Sequence, residues 1–366
     1  MWIRLARIGI TCLLIAIPFF QLIGQDLPSS EGSPCCPSIE TAARVPVRGI
    51  YGQVVDFTAN HGVNRRIFSQ ALGCERDLYV YLPPCFDAKK PYPVMIYLHG
   101  VLQDEKSFIE FIVKPLDKAI RTGQLPPMIV AAPDGSIEGN PTRFDPGSFY
   151  INGPRGRYQD WILQDVWSFL HNRFLIRPEP KAHILCGVSM GGFGAYNMAI
   201  KHPEQFGIVV GVMPALNLRW MGCCGGYFAN FSPNNWCWRD SFDNPREVIG
   251  EFGIFRIRIQ NFAYPVFGQD PQAALALVSQ ENPIEMLDRY KLKHGMLDMF
   301  IGYGAYDEFN LDAQVESFLS ALESRNIGAT VQRISWGRHD EKTALCMLPK
   351  VVRWLDEKLR QHNVAD

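Results

Sequence analysis

The sequence predicts an α/β protein: a mostly parallel central sheet with helices on both faces. Three observations lead there. From about residue 94 onward, short apolar runs alternate with amphipathic helical stretches, the signature of a parallel sheet covered on both sides. One such run, Ala182-His183-Ile184-Leu185-Cys186, stops at Gly187-Val188-Ser189-Met190-Gly191 and continues as a helix, the G-x-S-x-G pattern of strand, tight turn and helix. The chain has 366 residues, 47% hydrophobic and 12% aromatic, ample for one large domain with a full core.

The first 24 residues read as a targeting segment. Arg4 and Arg7 precede an almost wholly apolar stretch over 8–20, and Leu22 and Gly24 stand at possible −3 and −1 cleavage positions. The apolar run is shorter than the ~20 residues of a spanning helix, and Pro18 interrupts it. This predicts a cleaved signal peptide and a secreted or periplasmic protein. The alternative is an uncleaved anchor, a membrane tether with the folded domain outside the cytoplasm. Residues 25–46 read as a linker rich in Ser, Pro and Gly. Ten cysteines fit an oxidising compartment and predict disulfides among Cys35-Cys36, Cys74, Cys85, Cys223-Cys224 and Cys237. Cys186, inside the strand before the turn, reads instead as a buried free thiol. No C-x-x-C occurs, so zinc and thioredoxin chemistry have no support, and no metal or cofactor is expected. With a net charge of −1 and no basic stripe, a nucleic-acid partner is excluded.

Residues 47–362 form the predicted single domain. Short strands over 49–58, 65–71 and 76–82 would make the antiparallel edge of the sheet, the last ending at Pro83-Pro84. A buried strand over 94–98 leads to His99-Gly100, then a helix over 106–122. The next strand, 128–132, ends at Pro133-Asp134-Gly135, and a loop rich in Gly, Pro and Asn follows over 140–156. Trp161, Ile162, Val166, Phe169 and Leu170 give 158–174 a helical period. After the turn at Ser189 and its helix comes a strand over 207–213. The rhythm then breaks over 214–286, an aromatic, irregular insertion containing Trp220, Tyr227, Trp236, Trp238 and Phe242. It reads either as a cover over the active site or as a packing excursion stapled by cysteines. Alternation resumes with a strand over 299–303, a helix over 311–325, a strand over 330–335 and a closing helix over 341–361.

A serine hydroxyl is a poor nucleophile near neutral pH. It needs an imidazole to take its proton and an acid to orient that imidazole. In the α/β-hydrolase fold these follow the serine in the order acid, then histidine, each after a strand. Asp307, in Gly304-Ala305-Tyr306-Asp307-Glu308, takes the acid position, with Glu308 as runner-up. His339 follows the last strand. His294 and His202 read as solvated and structural, and the other histidines lie in the wrong places. Two backbone N–H groups should meet the developing oxyanion, those of Met190 and Val101, with Leu102 as the second choice for the latter. His99 and Gly100 shape that loop and, with Trp220 of the insertion, are the candidate substrate-contact residues.

Several blocks resemble the esterase D / feruloyl-esterase-like family of α/β-hydrolases. The strongest are Gly187-Val188-Ser189-Met190-Gly191-Gly192-Phe193-Gly194-Ala195 and His202-Pro203-Glu204-Gln205-Phe206. Tyr97-Leu98-His99-Gly100, Ala132-Pro133-Asp134-Gly135, Gly147-Ser148-Phe149-Tyr150 and Gly337-Arg338-His339-Asp340 belong to the same set. The resemblance implies a Ser-His-Asp triad and metal-independent acyl transfer. Family members include feruloyl and acetyl-xylan esterases, S-formylglutathione hydrolases and mycolyltransferases. The chain departs from the pattern where Glu341-Lys342-Thr343 replaces the family's frequent tryptophan after His-Asp, and in its aromatic insertion. The expectation is an exported serine esterase acting on small or polysaccharide-linked acetyl or feruloyl esters. An acyltransferase, or a silent binding module on the same scaffold, are the alternatives. An S-formylglutathione hydrolase fits poorly with an export signal, since that substrate is cytosolic.

Overall fold

A computed structural model describes residues 43–139 and 146–361. The targeting segment, most of the linker, Cys12, Cys35, Cys36, part of the 140–156 loop and His362 lie outside the described residues.

The chain enters the sheet earlier than its composition suggests. Arg44–Val45 (β1), within the expected linker, pairs antiparallel with Gln53–Phe57 (β2). Ile67–Ser69 (β3) and Cys74–Arg76 (β4) pair only with each other, so the strand expected over 65–71 forms a separate hairpin and not part of the sheet edge. Leu78–Leu82 (β5) and Val94–Leu98 (β6) are fully buried strands. A π-helical turn, Phe108–Ile112, runs into Val113–Arg121 (α1). Ile129–Pro133 (β7) follows, then a small hairpin of Asn152–Gly153 (β8) and Gly156–Arg157 (β9). The helix expected over 158–174 is a composite. Tyr158–Asp160 (α2) and Trp167–Arg173 (α3) flank a π-helical stretch at Trp161–Val166. Next come His183–Val188 (β10), Met190–Lys201 (α4) and Ile208–Val212 (β11).

The insertion is more ordered than its sequence suggests. It contains hairpins of Trp220–Gly222 (β12) with Trp236–Trp238 (β13), and of Val248–Phe252 (β14) with Phe255–Arg258 (β15). Three helices follow, Ile259–Phe267 (α5), Pro271–Glu281 (α6) and Pro283–Arg289 (α7). Asp270 caps α6 by accepting from the N–H of Ala273 at 2.7 Å, with Pro271 at the first helical position. Asp298–Gly304 (β16), Leu311–Glu323 (α8), Thr330–Ile334 (β17) and Glu341–Gln361 (α9) complete the chain.

The nine-stranded sheet has the order β1-β2-β5-β7-β6-β10-β11-β16-β17. It is parallel from β7 to β17 and antiparallel from β1 to β7. Alternate residues divide its two cores, as the pleat requires. Ile96, Leu185, Val209 and Ile301 face the core that α4 enters. Tyr97, Ile184, Val210 and Phe300 face the core closed by Trp354 and Leu355 of α9. Residues 190–200 of α4 are all buried, because the helix lies between the sheet and the insertion helices. Among the described residues no helix is long and apolar enough to cross a membrane.

Among the described residues the cysteines are free thiols, contrary to the disulfide expectation. Cys223 and Cys224 hold their sulfurs 3.5 Å apart, far beyond the about 2.05 Å of a disulfide. Cys186 is a free thiol, and burial pushes it up to about 12.

Candidate active site

The parallel strands all present their carboxyl ends to one edge, and every predicted site residue except Trp220 follows such an end. Ser189 sits between β10 and α4 with φ 55° and ψ −118°, a backbone region costly for a residue bearing a side chain. Close packing imposes it. A Cβ on Gly187 would lie 2.2 Å from the carbonyl of Gly191, and one on Gly191 would lie 2.0 Å from the Leu98 oxygen. The Ser189 N–H donates to Val212 O at 2.8 Å, fixing the turn to β11.

The structure brings Ser189, His339 and Asp307 together. His339 Nε2 lies 3.0 Å from Ser189 Oγ, and Nδ1 lies 2.8 Å from Asp307 Oδ2. A carboxylate only accepts, so Nδ1–H donates to Asp307 and Nε2 is left to accept the serine proton. The second Asp307 oxygen accepts the Phe309 N–H at 2.9 Å. The Phe309 ring packs edge-on against the imidazole, centroids 5.0 Å apart. Burial pulls the His339 pKa down, but the charge and hydrogen bond of Asp307, with Glu308 and Asp340 nearby, outweigh it, and the net shift is upward.

Glu308, the runner-up acid, does something else. Its carboxylate accepts the backbone N–H of His339 at 2.7 Å and Nε of Arg338 at 2.6 Å. Its own carbonyl accepts the Glu251 N–H at 2.9 Å, tying the β14–β15 hairpin to the acid loop. One sequence signal for it was present: two adjacent acids after a strand cannot both face one imidazole.

Val101 follows the end of β6 and Met190 opens α4, on either side of Ser189. Met190 is the first residue of α4, where N–H groups have no partner within the helix. The Gly100 N–H is held by Oε1 of Gln103 at 2.9 Å, and among the described residues nothing accepts the N–H of Val101. Gly100 backs onto the serine, a Cβ there meeting Ser189 Cβ at 3.5 Å. Leu102 takes a left-handed φ of 59° and turns its side chain to solvent.

His99 shapes its loop, as expected from the sequence, and the added reading of it as a substrate contact is corrected. It is 1% exposed. Its Nε2 accepts the Gly135 N–H at 2.8 Å, so Nδ1–H donates to Gly100 O at 2.9 Å. Behind it, Arg76 pairs with Asp134 at 2.6 Å. Burial would raise the Asp134 pKa, but the Arg76 charge and the Ser136 N–H bring it below its usual range. Asp77, Glu105 and Asp134 bring carboxylate oxygens within 4.8 Å of one another here, the one grouping among the described residues with metal-ligand proximity. Both Asp134 oxygens are already occupied, by Arg76 and by the Ser136 N–H. Burial, with Asp134 and Asp104 alongside, pushes Glu105 up to about 8.

Trp220 is also corrected. It is fully buried inside the insertion, stacked on Trp236 with centroids 5.9 Å apart, and donates Nε1–H to Tyr227 O at 3.0 Å. The cavity at Ser189, about 80 Å³, is lined by other residues. Phe149, Phe242, Phe262, Phe267, Val278 and Leu311 form its apolar wall. Tyr227, Arg239 and Gln314 supply its polar edge, Arg239 being held by Glu247 at 2.8 Å. Insertion residues wall the cavity at the serine, and the tryptophan hairpin is packing, though without the cysteine staple expected for it.

The Esterase family model, described as "Putative esterase", matches residues 69–317, which include Ser189 and Asp307 and end before His339. An S-formylglutathione hydrolase of Arabidopsis thaliana is 27% identical over 191 residues. The match spans 48% of this chain and 64% of that protein, less than two thirds of the relative's length. A solved ferulic acid esterase shares the fold with a TM-score of 0.59 at 19% identity, over 84% of this chain and 99% of that one. An S-formylglutathione hydrolase from Agrobacterium tumefaciens does so with a TM-score of 0.58 at 17% identity, over 87% and 98%. At these identities the structural likeness is one of fold.

Proposed function

The chain belongs to the Esterase family, and we propose on that premise that it is a serine carboxylic ester hydrolase working through an acyl-enzyme on Ser189. The observation that carries this is His339 held between Ser189 Oγ at 3.0 Å and Asp307 at 2.8 Å. His339 Nε2 takes the hydroxyl proton as Oγ attacks the ester carbonyl carbon. The carbonyl oxygen becomes an oxyanion facing the N–H groups of Val101 and Met190. Removing one such donor from a serine hydrolase typically slows turnover ~10²–10³-fold. The imidazolium, steadied by Asp307, then gives its proton to the departing alkoxide, and the alcohol leaves. Water attacks the acyl-enzyme with His339 again as base, releasing the acid and restoring Ser189.

The apolar cavity takes the acyl part, and its size and phenylalanine walls suit an acetyl or flat aryl group. Feruloyl esters fit that description, and the alcohol part, a sugar among the candidates, stays outside the cavity. The export signal read at residues 1–24 supports a site of action outside the cytoplasm. Ser189→Ala should abolish hydrolysis of p-nitrophenyl acetate and labelling by a fluorophosphonate probe. Retained turnover in that variant overturns the assignment, and a panel of acetyl, butyryl and feruloyl esters sets the acyl class.

A further inference from the structure

Large apolar side chains stand in solvent on the loops that carry the catalytic groups and on a hairpin joined to them. Leu102 is 56% exposed, Tyr306 69% and Trp336 48%. They lie on the three loops that carry Val101, Asp307 and His339. These loops leave the carboxyl ends of β6, β16 and β17, and the last two are fastened together by Ala305 N–H to Ile334 O at 3.0 Å and Tyr306 N–H to Gly337 O at 2.9 Å. The β14–β15 hairpin joins them through Glu251 N–H to Glu308 O. Its tip carries Ile254, 91% exposed, and Phe255, 50% exposed. Gly253 turns the tip with φ +63°, and nothing lies within 4 Å of where its Cβ would be. Cations flank these side chains. Arg256 is 59% exposed beside Glu251, and Lys342 Nζ sits 4.9 Å from the Trp336 ring centroid.

The shape and chemistry of this rim distinguish its possible occupants. A stable protein interface needs about 800 Å² of continuous complementary surface per partner, whereas these five side chains stand on four separate segments. A polysaccharide could stack on Tyr306 and Trp336, but it has no use for Ile254, the most exposed apolar side chain of the rim, or for Leu102. A lipid–water interface takes what is present: an aliphatic and aromatic wedge, Trp and Tyr at headgroup depth, and cations that attract anionic headgroups. We propose that this rim, led by Ile254 and Phe255, docks on an anionic lipid surface. The ester substrate is then one presented at that surface. The substrate half of this rests on the esterase reading; the docking half does not.

The test uses full-length Ser189→Ala protein, so that no lipid is hydrolysed, and phosphatidylcholine vesicles with and without phosphatidylglycerol. Hydrogen exchange is followed for residues 248–258, a local readout that a tether at the N-terminus does not produce. On the mixed vesicles, amides at 252–256 should exchange at least ~5-fold more slowly, and less so on phosphatidylcholine alone. Ile254→Ser with Phe255→Ser should remove the slowing at unchanged Tm. Equal exchange with and without vesicles overturns the proposal. So does slowing that survives the double substitution, slowing by insoluble xylan instead of vesicles, or slowing that grows with protein concentration in the absence of lipid. Failure of the esterase reading appears separately, as absent p-nitrophenyl acetate hydrolysis by the unsubstituted protein.

Discussion

Asp307 and Glu308 are neighbours, both acidic and both within reach of His339, and substituting each separates their roles. Asp307 uses both oxygens, one on His339 Nδ1 at 2.8 Å and one on the Phe309 N–H at 2.9 Å. Asn at 307 must keep its carbonyl oxygen on the Phe309 amide, since an NH2 group there would meet another donor. Its NH2 then faces Nδ1, which must become an acceptor. The ring proton moves to Nε2, which can no longer take the proton of Ser189. A wrong tautomer of this kind lowers kcat by on the order of 10⁴-fold in a serine protease triad, and Asp307→Asn should do the same here. Glu308→Gln keeps one acceptor oxygen on the backbone N–H of His339 and loses the charge shared with Arg338. Charge-assisted hydrogen bonds contribute about 1.5–3 kcal/mol, and part of that remains in the Gln variant. The expected loss in kcat is therefore about 10-fold, with KM little changed. Initial rates on p-nitrophenyl acetate, with thermal unfolding of each variant as a folding control, read both. If Glu308→Gln loses 10³-fold or more while Asp307→Asn stays within 10-fold of the parent at unchanged Tm, the acid has been assigned to the wrong residue.

Other substitutions probe the frame around the serine. For the parent, kcat/KM should fall as pH drops through the raised pKa of His339, because the protonated ring cannot act as base; a rate that stays flat down to pH 4 contradicts that role. Gly191→Ala would set a Cβ 2.0 Å from Leu98 O and should destabilise by about 3 kcal/mol or more with loss of activity. Gly226→Ala, with open space around its Cβ, should change stability by less than ~0.5 kcal/mol, and similar urea midpoints for the two would refute the steric argument. Glu105 titrates near 8 in the folded chain against 4.5 for the free side chain, so between those values the folded state holds the extra proton and stability falls as pH rises. Glu105→Gln should raise Tm by roughly 2–4 °C at pH 9 and change it little at pH 5; equal effects at both values reject the raised pKa. Lys201 and Glu281 form a buried pair at 2.5 Å that joins α4 to α6. Lys201→Met leaves that carboxylate uncompensated and should cost about 3–5 kcal/mol in urea unfolding, largely recovered by adding Glu281→Gln; a loss under 1 kcal/mol would mean water reaches the pair.

Local pattern determined much of this protein. Apolar runs of strand length announced β6, β7, β10, β11 and β16 to within a residue or two, because a strand buried on both faces is largely apolar; β17, a half-exposed edge strand carrying Gln332 and Arg333, was found from its place between two helical stretches. Gly187 and Gly191 marked the turn at Ser189, because close backbone approach leaves no room for a Cβ. Asp307 and His339 could be named because each follows the end of a parallel strand, and those ends share one edge. What sequence could not supply is which surfaces meet across distant segments. Only the folded chain made Ile67–Ser69 a separate hairpin, set Glu308 on the backbone of His339, sealed His99 behind Gly135 and stacked Trp220 on Trp236. The insertion shows the difference most clearly. Its aromatic residues have no period, so nothing local says which of them reach the cavity. Phe242, Phe262 and Phe267 line it, while Trp220 is packing, because side-chain environment there depends on how hairpins and helices far apart in sequence close over α4.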